Sequence, residues 1–235
     1  MNRLRLLVVL LAMPPLVGSY GQCVVSLDEQ HRVITVCQTY TEPNGLLINR
    51  TDRQQGLSRT VYLGSEYITY PVWQQGSIKE AGAPNYISCG LAYNLLTNQV
   101  FCQFPGDSVP HVVSPEAFTI NDMHFVSRLN KKADRSYYRV LYAGKTRLLA
   151  QYKCTLRPVS NEPYVLEESF DGTYRRQISF YIQQDNASLK PVKLSRKSLL
   201  GVLNVPSTRL PDSLSKNKLT IAELVNALAY YDGFR

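Results

Sequence analysis

Five cysteines, three histidines and eighteen carboxylates are the side chains of this 235-residue chain with the widest chemical range, and their spacing excludes more than it allows. His31, His111 and His124 never fall into the HExxH or H-x(3–5)-H spacing of a zinc site, and no Cys-x-x-Cys occurs. No metal ligand set and no cofactor are assigned. The chain also lacks a Gly-x-Ser-x-Gly elbow, a P-loop and a dinucleotide fingerprint. Asp171-Gly172-Thr173 holds the letters of an aspartic-protease signature out of order and reads as a hairpin turn. Glu167 and Glu168 beside Asp171 raise the paired-carboxylate chemistry of glycoside cleavage, but adjacent residues on a strand point to opposite faces. No catalytic residue is assigned. A non-enzymatic binding or structural module is the leading expectation. A hydrolase of polysaccharide or peptide, its carboxylates meeting only in three dimensions, is the alternative.

The cationic residues point further. Lys190, Lys193, Arg196 and Lys197 crowd one strand-to-helix junction, and Arg175-Arg176 come close if their strand pairs with it. Together with the N–H groups of the helix start, these six can bind an anion; the same charges also keep an exposed edge soluble. The asymmetry extends along the chain. Residues 22–127 hold five Lys/Arg against nine Asp/Glu, and residues 128–235 hold nineteen against nine. The basic half therefore suits an anionic envelope glycan or an acidic protein surface.

Nucleic acid is excluded by the expected compartment. Met1-Asn-Arg-Leu-Arg5 is a basic head, 6–17 an apolar run, and Gly18-Ser19-Tyr20-Gly21 a small-residue exit, the layout of a signal peptide over 1–21. Cleavage before Gln22 is expected, because the Gln preceding Cys23 does not suit lipoprotein processing. The run is too short to span a bilayer core of about 30 Å, and no later segment is long enough, so the mature chain has no transmembrane segment. Periplasm or the extracellular space is the expected location. Both are oxidising, so the cysteines invite pairing. A hairpin centred near residue 30 sets Cys23 opposite Cys37. Cys89 and Cys102 bracket a second hairpin and form the natural second pair, although a turn at Thr97-Asn98 would set Cys102 opposite Tyr93 instead. Cys154 is left over, a small hydrophobe on an apolar strand. Ser108 and Ser213 fit the Asp-Ser-aliphatic pattern of bacterial O-glycosylation; Asn49 and Asn186 match an N-glycosylation acceptor that has no meaning without its machinery.

The elements that must position these residues are mostly strands. Apolar runs over 60–63, 66–73, 86–94, 100–104, 117–120, 124–128, 136–142, 146–152, 164–170, 174–183 and 192–194 are separated by turn chemistry at Asn121-Asp122, Ala143-Gly144 and Asp171-Gly172. After 194 the period changes: Ser195 caps a short helix. Thr220 and Glu223 form a capping box ahead of Ile221, Leu224, Val225 and Leu228 on one face. The expected architecture is α+β, a predominantly antiparallel sheet of successive hairpins with a small helical C-terminal segment packed on it. Its parts are the leader 1–21, a disulfide hairpin and polar linker 22–58, a β-rich domain 59–194, and the helical segment 195–235. Sixteen tyrosines suit half-exposed strands and also sugar-binding surfaces.

Gly90-Leu-Ala-Tyr-Asn-Leu-Leu-Thr-Asn98, Tyr138-Arg-Val-Leu-Tyr142, Leu148-Leu-Ala-Gln-Tyr-Lys153, Val192-Lys-Leu-Ser-Arg-Lys-Ser-Leu199 and the closing Ala-Leu-Ala-Tyr-Tyr231 occur in an order that resembles a group of uncharacterised exported proteins from Bacteroidetes-type bacteria. The resemblance covers about 60–232 and implies a shared fold and export, with no assigned activity.

Overall fold

The structure, a computed structural model, describes residues 21–40, 57–129, 135–158, 170–185, 187–206 and 218–234. The expected leader up to residue 20, Glu167, Glu168, Asn49, Asn186 and Ser213 lie outside them.

β1 (Gly21–Leu27) and β2 (Val33–Tyr40) form the first hairpin, and β3 (Leu57–Leu63) pairs antiparallel with β2. Asp28 makes the turn: its Oδ1 accepts from the N–H groups of Gln30 and Arg32, and His31 sits at φ +59. That register sets Cys23 opposite Cys37, and the two are bridged.

Three hairpin-linked runs follow. β4 (Gln74–Lys79), β5 (Ile87–Asn94), β6 (Gln99–Gln103) and β7 (His111–Val113) precede β8 (Ala117–Ile120) and β9 (Met123–Leu129). Then come β10 (Arg135–Ala143), β11 (Thr146–Pro158), β12 (Gly172–Gln184) and the short β13 (Lys190–Val192). Asn98 and Asn121 take positive φ at the turns, as tight hairpins demand. Residues 66–73, expected as a strand, are irregular apart from one bridge between Tyr67 and Asn94, and the strand forms immediately after them. Gly172, expected at a turn, instead opens β12; a Cβ there would meet the Arg157 carbonyl at 2.7 Å.

All strands belong to one sheet, ordered β1-β2-β3-β12-β11-β10-β9-β8-β4-β5-β6-β7, with β13 beside β12. Pairing is antiparallel except between β3 and β12, so the sheet is mixed rather than wholly antiparallel. It curls on itself: the Cys154 N–H of β11 donates to the Leu95 carbonyl at the end of β5, five places away in the order. The curl encloses an aromatic core. Phe118 stacks on Phe125 at 4.7 Å, and Tyr93 meets Phe118, Phe125 and Tyr137 edge-on at 5.3–5.7 Å. The Tyr93 hydroxyl donates to Asn98 Oδ1 at 2.9 Å, which satisfies its polar end.

A second core lies under α1 (Arg196–Leu203) and α2 (Ile221–Gly233), where Leu199, Leu224 and Leu228 cover Leu148, Ile182 and Val192. Ser195 caps α1, and Thr220 with Glu223 forms the expected capping box on α2. The buried stripe of α2 is Leu224, Ala227 and Leu228; Ile221 in the first turn is 39% exposed. Asp232 fastens the helix to the β10–β11 turn, its Oδ2 accepting from the Tyr142 hydroxyl at 3.1 Å and the Thr146 N–H at 2.9 Å. Among the described residues no helix is long and apolar enough to cross a membrane.

Candidate anion-binding surface

β9 to β13 carry nine Lys or Arg residues and no Asp or Glu. Strand alternation sorts those cations. On β11, Leu148 and Cys154 point into the two cores, so Arg147, Lys153 and Arg157 share the opposite face. Register places Arg175 opposite Thr155 and Gln177 opposite Lys153, making Arg175 and Lys153 diagonal neighbours on that face. A cleft of about 390 Å³ there is bordered by Arg135, Lys153, Arg175, Gln151 and Gln177. The Arg135 guanidinium is already engaged, donating to the Ser114 and Pro115 carbonyls at 3.0 and 2.8 Å. Lys153 and Arg175 are exposed and have no ion-pair partner among the described residues. Beneath them Leu149 is fully buried, and Tyr138 packs edge-on to Tyr181 at 5.5 Å, which gives the face an apolar floor.

The six expected anion-site residues are not gathered at one point. Arg176 lies opposite Cys154, on the core side of β12, and its guanidinium donates to the Tyr67 and Ile68 carbonyls. It pins the 64–73 loop. Lys190 pairs opposite Ile182 at the far end of β12, and Lys197 is exposed in the first turn of α1. Lys193 borders a separate groove of about 620 Å³ with Ile178, Phe180, Val192 and Leu194. At the start of α1 the Ser198 N–H already donates to Ser195 Oγ, so the cap uses a donor that an anion would need. Arg196 is likewise a partnered residue. The sequence reading missed Lys153 and Arg157. Their signal was present, because basic residues at 147, 153 and 157 keep a period of two along one strand.

The thiols are quiet. Cys89 and Cys102 are free and buried, so the expected second bridge is not formed. Cys102 stands opposite Leu91, with Cys89 diagonal to it on the same face. Diagonal positions leave Cβ atoms roughly 7 Å apart or somewhat less, against ~3.8 Å in a bridge. Burial raises the Cys89 thiol, and burial with the neighbouring sulfur pushes Cys102 up to about 12. Cys154, the residue left over, donates to the Ser65 carbonyl at 3.9 Å; burial and Glu66 raise it against the pull of Arg176. A thiol held protonated is a poor nucleophile. Glu66 beside it accepts from Asn94 Nδ2 at 2.9 Å and from the Tyr174 hydroxyl at 3.4 Å.

A polar cleft of about 490 Å³ between Asp28, Arg32, Arg59, Phe170 and Asp171 is where carboxylate chemistry would be sought. Two of its acids, Asp28 and Asp171, are engaged, and the third, Glu29, is exposed in the hairpin turn. Burial alone would raise the Asp28 carboxyl, but the Arg32 N–H and guanidinium and the Gln30 N–H outweigh it and hold it below the ordinary carboxylate value. Asp171 Oδ2 accepts from the Val61 N–H. Arg32 also lies 5.0 Å from the Phe170 ring centroid. Among the described residues no group of His, Cys, Asp and Glu could hold a metal ion. Ser108 is exposed in the loop between β6 and β7.

No family model, curated protein or solved structure matches this chain. Its functional reading therefore rests on the surface itself.

Proposed function

We propose that this protein is an exported, non-enzymatic binding module that holds an anionic partner, in the periplasm or outside the cell, through the basic face of β9 to β13. The carrying observation is that Arg147, Lys153, Arg157 and Arg175 share one face of β11 and β12, two strands with no carboxylate. Like charges at this spacing repel, and an anionic ligand relieves the repulsion while the cations steer its approach. The Tyr138–Tyr181 ring contact and the buried Leu149 hold the face rigid, so little ordering is required on binding. Export is supported by the basic-apolar-small layout of residues 1–21, by the Cys23–Cys37 bridge, and by the resemblance of 60–232 to exported Bacteroidetes-type proteins.

Retention on immobilised heparin, used as a generic polyanion, tests the reading. The protein is expected to bind and to elute at distinctly lower salt when Arg147, Lys153 and Arg175 are each changed to Glu. An elution position unmoved by that triple reversal would remove the face from the account.

A further inference from the structure

β11 covers one flank of β12 along its whole length, from Gly172 to Gln184. The other flank is occupied only at its ends. Gly172 and Thr173 pair with β3, and residues 180–182 pair with β13. Both partners leave abruptly. Gly64, at φ +87, turns the chain away just after Leu63, and the Ser195 N–H folds back onto the Lys193 carbonyl as α1 begins. Residues 174–179 therefore run with no strand on that flank among the described residues. At ~3.3 Å per residue the gap is about 20 Å long, the length of an ordinary short strand. The gap is open to solvent over 175–178, all exposed; at its β3 end Gly64 still lies against Tyr174, where a Cβ would meet the Tyr174 carbonyl at 3.3 Å.

We infer that this gap receives an extended acidic polypeptide segment as an added strand, completing the lane that β3 and β13 leave open. The inference rests on, and deepens, the proposal that the basic face takes an anionic partner. Alternate backbone N–H and C=O groups of 174–179 face the gap and supply a ladder. Strand alternation divides the guest's side chains. One set falls on the side of Arg175 and Lys153, where carboxylates meet cations. The other set falls on the apolar groove of about 620 Å³ that Ile178, Phe180 and Leu194 line. The fitting guest alternates acidic and apolar residues. A polysaccharide has no matching backbone ladder, and a second copy would bring its own β12 cations against these.

The test uses the full chain and a short fluorescent peptide of alternating Glu and Val, read by anisotropy. The same peptide, N-methylated on the nitrogens that face β12, is the control. Binding is expected to weaken roughly tenfold or more on methylation. It should weaken by a similar factor in Arg175→Glu/Lys193→Glu with an unchanged circular dichroism spectrum, and amides within 174–179 should gain hydrogen-exchange protection on binding. Equal binding of the methylated peptide, without that protection, overturns strand addition and leaves the anion reading standing. Failure of both the peptide and heparin to bind overturns the two together. Self-association at high salt with protection of 174–179 would assign the lane to a second copy and sink the inference.

Discussion

The two halves of the long sheet use the same hairpin connections and opposite side-chain chemistry. β4 to β8 carry one formally charged residue, Lys79, whereas β9 to β13 carry nine. The difference follows from what each half covers. In β5 the run Leu91, Ala92, Tyr93 and Asn94 is buried on both faces, because the sheet curls over it, and a charge there would lose its water. β11 and β12 stay open to solvent at Arg147, Lys153, Arg157 and all of Arg175 to Ile178, where long cationic side chains are tolerated. Burial on two faces removes charge; exposure admits it.

The largest expected effect tests the first half. Phe118→Ala deletes a fully buried ring stacked on Phe125 and is expected to cost about 3–5 kcal/mol in urea unfolding. Leu228→Ala in the helical layer should cost ~2–5 kcal/mol. If both substitutions lower one transition seen alike by fluorescence and circular dichroism, the halves are one cooperative unit; separated transitions would break the comparison into two bodies. Replacing Cys23 and Cys37 together by Ser opens a loop of 14 residues' separation and is expected to cost about 3 kcal/mol on chain-entropy grounds. A change confined to proteolysis near the first hairpin would show instead that β1 and β2 unfold on their own. Asp232→Ala leaves the Tyr142 hydroxyl and the Thr146 N–H without their acceptor and should cost about 1–3 kcal/mol, with Asp232→Asn recovering part of it.

The smallest effect is set by pH. Burial lowers His124, on β9 at the boundary between the halves, below its ordinary value. The unfolded chain therefore takes up a proton first as pH falls. The stability this residue contributes is present above the unfolded value of about 6.5 and is lost as pH drops through the folded value. The urea midpoint should fall slightly on acidification from neutral pH, and less so in His124→Gln. An equal fall in both proteins would clear His124 of the effect.

Much of the fold was legible wherever its cause was local. The turn at Asn121, the Ser195 cap and the Thr220–Glu223 box each depend on residues within a few positions of one another, and the Cys23–Cys37 register on a single hairpin of 14 residues' separation. β4 was not legible. Gln74-Gln75-Gly76 has little strand character, and the strand exists because β5 and β8 flank it on both sides. A Cβ on Gly76 would meet the Thr119 carbonyl at 2.3 Å, so close packing selects the residue that weakens the strand signal. The parallel contact between β3 and β12 joins residues over a hundred positions apart, beyond the reach of any periodicity. The basic surface was half legible. Arg175 was named and belongs to it, but Arg176, its sequence neighbour, is turned by strand alternation onto the Tyr67 and Ile68 carbonyls.

Gly64 sets a boundary that reaches beyond recognition. By ending β3 early, it leaves a stretch of β12 whose backbone could nucleate ordered aggregates of the chain. Arg175 and Lys153 beside that stretch make any approaching sister molecule meet its own sign of charge. Resistance to self-association is therefore assigned to the same few residues as the proposed attraction for acids, and ionic strength tunes both at once.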